Sequence, residues 1–104
     1  MMSDWNQVDE IEKINKKYER VRITVYQRGN DFSFGTSVSL KTRGWRVPVL
    51  EEPYMYQSKN AAIKAAVDYI KERIKNSADY QDSMPTILRL LPDVEPSLFD
   101  FEVV

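Results

Sequence analysis

Two hydrophobic periods divide the first three quarters of this chain. Trp5, Val8, Ile11, Ile14 and Tyr18 recur at spacings of three and four, with Asp9, Glu10, Glu12, Lys13, Lys16 and Lys17 between them. That stripe is the mark of an amphipathic helix. It predicts a first helix over residues 5–19, with Asp4 as cap, Gln7 in the place of a capping-box partner and late lysines at the negative end of the dipole. The period then changes to two. Val21, Ile23 and Val25 alternate with Arg22, Thr24 and Tyr26, and Phe32, Phe34, Thr36, Val38 and Leu40 alternate with Ser33, Gly35, Ser37, Ser39 and Lys41. Two half-buried strands follow, joined through the turn residues Arg28-Gly29-Asn30-Asp31. A second turn at Thr42-Arg43-Gly44 leads to Trp45, Val47 and Val49, a third strand in which Pro48 cannot donate a ladder hydrogen bond. This strand therefore belongs at an edge, or carries a bulge near the proline.

After Glu51-Glu52-Pro53, the run Tyr54-Met55-Tyr56 is a connection or a short further strand whose aromatic rings pack under the next helix. That helix is the strongest local signal. Ser58 caps residues 59–75, with a buried stripe of Ala62, Ile63, Ala66, Val67, Ile70 and Ile74 and an outer face of Lys64, Asp68, Lys71, Glu72 and Lys75. Beyond Asn76 the regularity falls. Ser83-Met84-Pro85-Thr86 reads as a cap with an early proline, so that Ile87–Leu91 forms one or two helical turns before Pro92. Val94, Leu98, Phe99, Phe101 and Val103 are too many large apolar groups for a solvated tail, so the last segment should dock, preferentially on its own domain.

In order, these elements give an α+β fold, α-β-β-β-α. A three-stranded antiparallel sheet carries two helices on one face, with residues 1–78 as the domain and 79–104 as an acidic, apolar C-terminal arm containing a short helix. Val21, Ile23, Val25, Phe34, Val38, Leu40, Trp45 and Val47 would face the helices. The other face would present Arg22, Tyr26, Ser37, Ser39, Lys41 and Arg46.

Composition narrows the chemistry. The chain of 104 residues has neither cysteine nor histidine, which removes thiol nucleophiles, disulfides, thiolate metal sites and the commonest general base. The acidic residues do not cluster at metal-ligand spacing, so we expect no enzyme, no metal and no cofactor. No apolar run is long enough to span a bilayer and the first residues lack a signal-peptide pattern, which points to a cytoplasmic protein with no membrane contact. The net charge of −1 conceals a division. Residues 1–78 hold 14 Lys or Arg against 10 Asp or Glu, a balance of +4, whereas residues 79–104 hold one against six, a balance of −5.

Ser58, Lys59, Ala62 and Ala66, following three strands, carry a resemblance to the double-stranded RNA-binding domain. That family shares the α-β-β-β-α order and opens its second helix with Ser-Lys-Lys-x-Ala-Lys-x-x-Ala-Ala, whose lysines meet phosphates. Asn60 and Ile63 stand where the family has its other two lysines, and Arg28-Gly29-Asn30-Asp31 is shorter than its minor-groove loop. The resemblance implies binding of duplex RNA or DNA through Lys59, Asn60 and Lys64, with Arg28 and Asn30 from the hairpin and Arg22, Lys41, Arg43 and Arg46 from the sheet side. The alternative is a protein-interaction or regulatory module on the same scaffold, with a protein partner or, as a homo-oligomer, a second copy of the chain. It would use Leu88, Leu91, Phe99 and Phe101 of the arm.

Overall fold

The structure, a computed structural model, describes residues 4–50 and 55–92. Four strands form one antiparallel sheet in chain order: β1 (Asn6–Ile14), β2 (Arg20–Arg28), β3 (Asp31–Ser39) and β4 (Gly44–Val47). Helix α1 (Lys59–Lys75), a 3-10 turn at Ala78–Tyr80 and helix α2 (Met84–Leu90) follow. The fold is α+β, but the order is β-β-β-β-α with a short second helix.

The expected first helix is therefore strand β1, and the sheet has four strands rather than three. The reason lies at Val8. Gln7 pairs with Tyr26 and Asp9 with Val25, so Val8 is the extra residue of a β-bulge. The bulge takes Val8 out of the ladder, and beyond it the strand alternates regularly, so that apolar residues three apart lie on opposite faces. Ile11 pairs with Ile23 on the inner face, while Ile14 pairs with Arg20 on the outer face and is 53% exposed. Glu10 and Glu12 then lie opposite Thr24 and Arg22, where Glu12 accepts hydrogen bonds from Arg22. Cross-strand charge pairing of this kind supports a strand as well as i,i+4 pairing supports a helix.

The remaining strands follow the alternation. Val21 pairs with Val38, Ile23 with Thr36 and Val25 with Phe34, and all six are buried on the inner face. Leu40 and Trp45 are half-buried against this core. Strand β4 is an edge strand, its ladder ends at Val47 before Pro48, and the Leu50 amide bonds to the Phe34 carbonyl. Gly35 permits this close course: a Cβ there would lie 2.9 Å from the Val47 carbonyl oxygen and 3.3 Å from the Pro48 carbonyl carbon. Past the next residues, Tyr56 returns to exchange two backbone hydrogen bonds with Phe32 at 2.8 Å. Its ring packs 6.1 Å from Phe34, in agreement with a packing role for the aromatics; Tyr54 lies outside the described residues.

Helix α1 has the predicted bounds. Ser58 accepts the Ala61 amide at 3.0 Å, and Ala62, Ala66, Val67, Ile70 and Ile74 are buried against β2 and β3 while Ile63 is half-buried. The alanines bring the helix axis close to the sheet. At its far end the Gln81 side-chain amide donates to the Ile74 and Lys75 carbonyls at 3.2 Å, supplying donors that a helix C-terminus lacks. Helix α2 starts at its expected place with proline in the first turn, although the Ser83 side chain makes no cap bond. Ile87, Leu90 and Leu91 join the main core, with Tyr80 and Met84 packed against it. Lys13 Nζ donates to the Leu91 carbonyl at 3.4 Å and ties β1 to the end of α2. The later part of the arm, with Phe99 and Phe101, lies outside the described residues.

Candidate nucleic-acid interface

The nine residues each of β2 and β3 separate the turns at their two ends by roughly 25 Å. The predicted cationic residues fall into three groups along it. Arg28 and Asn30 belong to the β2–β3 hairpin, closed by the Arg28 and Asp31 pair around Gly29 and Asn30. Gly29 has φ +61, which a glycine adopts at low cost, and positive φ at the first loop position is the pattern of a type II′ turn. Lys59 and Asn60 open α1. The Phe32 and Tyr56 backbone bonds bring these two pieces to the same end, because Asn30 and Ser58 each lie two residues from that pair. Ser58 occupies the cap, no acid lies in the first helical turn, and Lys59 and Asn60 are exposed. Lys64 is exposed just over one turn further on.

Arg28 is tied into the fold. Its guanidinium lies 4.4 Å from the centroid of buried Trp5, a cation–π contact that stiffens the root of the hairpin.

The second group occupies the outer sheet face. Arg22, Tyr26, Ser37, Ser39 and Arg46 sit there as expected, by register with one another. Arg22, Thr24, Tyr26, Ser37 and Arg46 surround a shallow depression over Gly35 of about 30 Å3, room for one water or one ligand oxygen. Arg22 is not available in the way the sequence suggested. Glu12 from β1 accepts its Nε at 2.8 Å and its Nη2 at 2.8 Å, and Glu10 lies at 3.9 Å. The hydrogen bond to Glu12 and the two carboxylate charges hold the Arg22 pKa above its ordinary value, against a smaller opposing effect of burial. Reading β1 as a helix concealed this acidic row; the Glu10 and Glu12 alternation with Ile11 was its signal.

The third group, Lys41 and Arg43, lies at the opposite end, in the β3–β4 turn. Lys41 is thus a turn residue and not part of the sheet face. Arg43 lies 5.8 Å from the Tyr80 ring centroid, and Tyr80 meets Trp45 edge-on at 5.0 Å. Arg73, which the sequence reading did not single out, covers Trp45 at 4.6 Å and donates to the Tyr69 hydroxyl at 3.3 Å. Arg43 thus packs on the 3-10 turn, while Arg73 joins α1 to β4.

Of the residues expected to meet a protein partner, Leu91 is buried in the core and is not displayed. Leu88 is 42% exposed on α2. Among the described residues no group of three acidic, histidine or cysteine side chains gathers to hold a metal ion, and no helix is long and apolar enough to cross a membrane. No protein-family model, curated protein or solved structure matches the chain. Three strands and a helix run from Arg20 to Lys75, with Ser58 as cap and Lys59 next, and β1 stands where the resemblance implied a first helix.

Proposed function

We propose that this chain is a small, non-enzymatic nucleic-acid-binding module that meets duplex RNA or DNA with the end formed by the β2–β3 hairpin and the start of α1. The observation that carries this reading is the backbone pairing of Phe32 with Tyr56, which brings the hairpin of Arg28 and Asn30 and the helix start of Lys59 and Asn60 to the same end of the sheet. The amides of a helix start, an early lysine and a short glycine hairpin suit phosphates, whose tetrahedrally arranged oxygens carry negative charge and accept hydrogen bonds. The outer sheet face contributes less, since Glu10 and Glu12 offset Arg22 and leave Arg46 as its main free cation. A cytoplasmic location accords with this function.

The test is a titration of labelled duplex RNA and duplex DNA at salt concentrations from about 50 to 200 mM, with the unaltered chain and with Lys59→Glu. An acid in the first turn favours the helix dipole, so this variant should fold at least as stably while repelling phosphate. Binding that weakens with salt, and a salt dependence shallower by about one ion in the variant, is the expected result. Absence of salt-sensitive binding to either duplex overturns the proposal.

A protein-interaction role remains as a second reading on one observation: Leu88 is a large apolar group displayed on a helix whose other apolar residues are in the core.

A further inference from the structure

The β1–β2 turn, at the end of the molecule opposite the hairpin just described, contains a residue that folding does not explain. Asn15 and Glu19 close it through the Asn15 amide to the Glu19 carbonyl at 2.9 Å, leaving Lys16, Lys17 and Tyr18 as a three-residue loop. The Asn15 side chain accepts the Lys17 and Glu19 amides and donates to the Glu19 carboxylate at 3.0 Å. Such a loop puts its third residue in the left-handed region, a position that glycine fills without steric cost. Here Tyr18 fills it, at φ +64. An aromatic side chain in this conformation costs folding free energy and is ordinarily repaid by packing, yet Tyr18 is 83% exposed. Its ring is held out from the tip of the turn.

Beside it lies a groove of about 350 Å3 between the turn and α2. This is at the small end of the ~300–1,000 Å3 typical of ligand sites. Lys16 and Lys17 border it on one side and Arg89 on the other, with Leu90 and Thr86 beneath. Glu19 is the acid in the lining, and Asn15 holds its carboxylate. Arg89 Nε donates to the Pro85 carbonyl at 3.2 Å, which fixes the plane of its guanidinium on the helix. Among the described residues none of the three cations is ion-paired.

We propose that this turn and groove bind single-stranded nucleic acid, with a base stacked on the Tyr18 ring and the flanking phosphates on Lys16, Lys17 and Arg89. Three cations around a concave surface answer to a chain of phosphates; a displayed, unpacked aromatic face answers to an unpaired base. A duplex cannot satisfy both, because its bases are already stacked within the helix. The site goes beyond the duplex reading and uses the other end of the molecule, with different residues.

The experiment titrates a labelled single-stranded oligonucleotide of roughly 12 nucleotides against the full chain, Tyr18→Gly, the double variant Lys16→Ala/Lys17→Ala, and Lys59→Glu. Tyr18→Gly relieves the backbone strain, so its urea midpoint should equal or exceed that of the parent. Its affinity for the single strand should nonetheless fall roughly ten- to hundredfold, the range for loss of one base stack. The double lysine variant should lower the slope of log affinity against log salt by about 1.4. Lys59→Glu should bind the single strand as the parent does. Failure of the parent to bind the strand, unchanged binding by Tyr18→Gly, or equal loss in Lys59→Glu overturns the proposal. Failure with duplex alone overturns only the duplex reading.

Discussion

Gly35 shows how a single residue sets the shape of the outer sheet face. It stands in the middle of β3, opposite Thr24 on the side away from the helices, and the backbone of Val47 and Pro48 passes close over it. Any side chain there would meet main-chain atoms, which cannot rotate aside as a flexible side chain would. Gly35→Ala should therefore destabilise the fold by about 1–3 kcal/mol, the range for overpacking, read from the urea midpoint. An unchanged midpoint would mean that the strand edge moves freely at Pro48. Arg22, one strand away, shows the same economy in charge. Its two partners on β1 are partly exposed, so the pairs contribute only ~0–1 kcal/mol each, but they decide which cation of the face is left to meet an anion.

Among the elements, α1 and β1 mark the two extremes of what the sequence makes legible. The bounds of α1 could be read because cap, stripe and breaker agree: Ser58 before Lys59, five buried residues at helical spacing, and Asn76 beyond Lys75. Ser58→Ala removes the acceptor of the Ala61 amide and should cost about 1 kcal/mol in a thermal or chemical melt, whereas Ser58→Asp should recover it. Full stability in the alanine variant would show that water serves that amide equally well. Strand β1 is misread because its apolar residues three apart, which a helix would gather on one stripe, fall on the bulge at Val8, the inner face at Ile11 and the outer face at Ile14. The short Glu10-Ile11-Glu12 alternation points to a strand, but only pairing with β2 decides against the longer helical stripe, and pairing is long-range information. The cationic candidates were legible by type but not by grouping. The segment that carries Arg28 and Asn30 and the one that carries Lys59 and Asn60 come to one end through the Phe32 and Tyr56 bridge, a contact that sequence spacing does not reveal. Tyr18 looked like the last member of a helical stripe, and its display became visible only once the residues around it formed a turn.

For the whole molecule, the near-zero net charge is less informative than its arrangement. The hairpin end and the turn end each present cations, while the acids of β1 lie along the flank between them. Such a distribution supports binding at the poles and discourages it in the middle, and it keeps the exposed edge of β1 charged against unwanted strand pairing. The strand order has a further consequence, one of time. Because every strand lies beside its chain neighbour, the entire ladder from β1 to β4 can form by successive hairpins, and only the return of Tyr56 to Phe32 and the seating of α1 and α2 require closure over longer stretches. Short loops cost little entropy to close. Refolding followed by stopped-flow fluorescence of Trp5 and Trp45 should accordingly show a main phase on the order of milliseconds. A main phase of many seconds that prolyl isomerase leaves unchanged would contradict it. A protein built in this way would regain its sheet soon after each unfolding event, leaving its strands little time to meet those of other molecules.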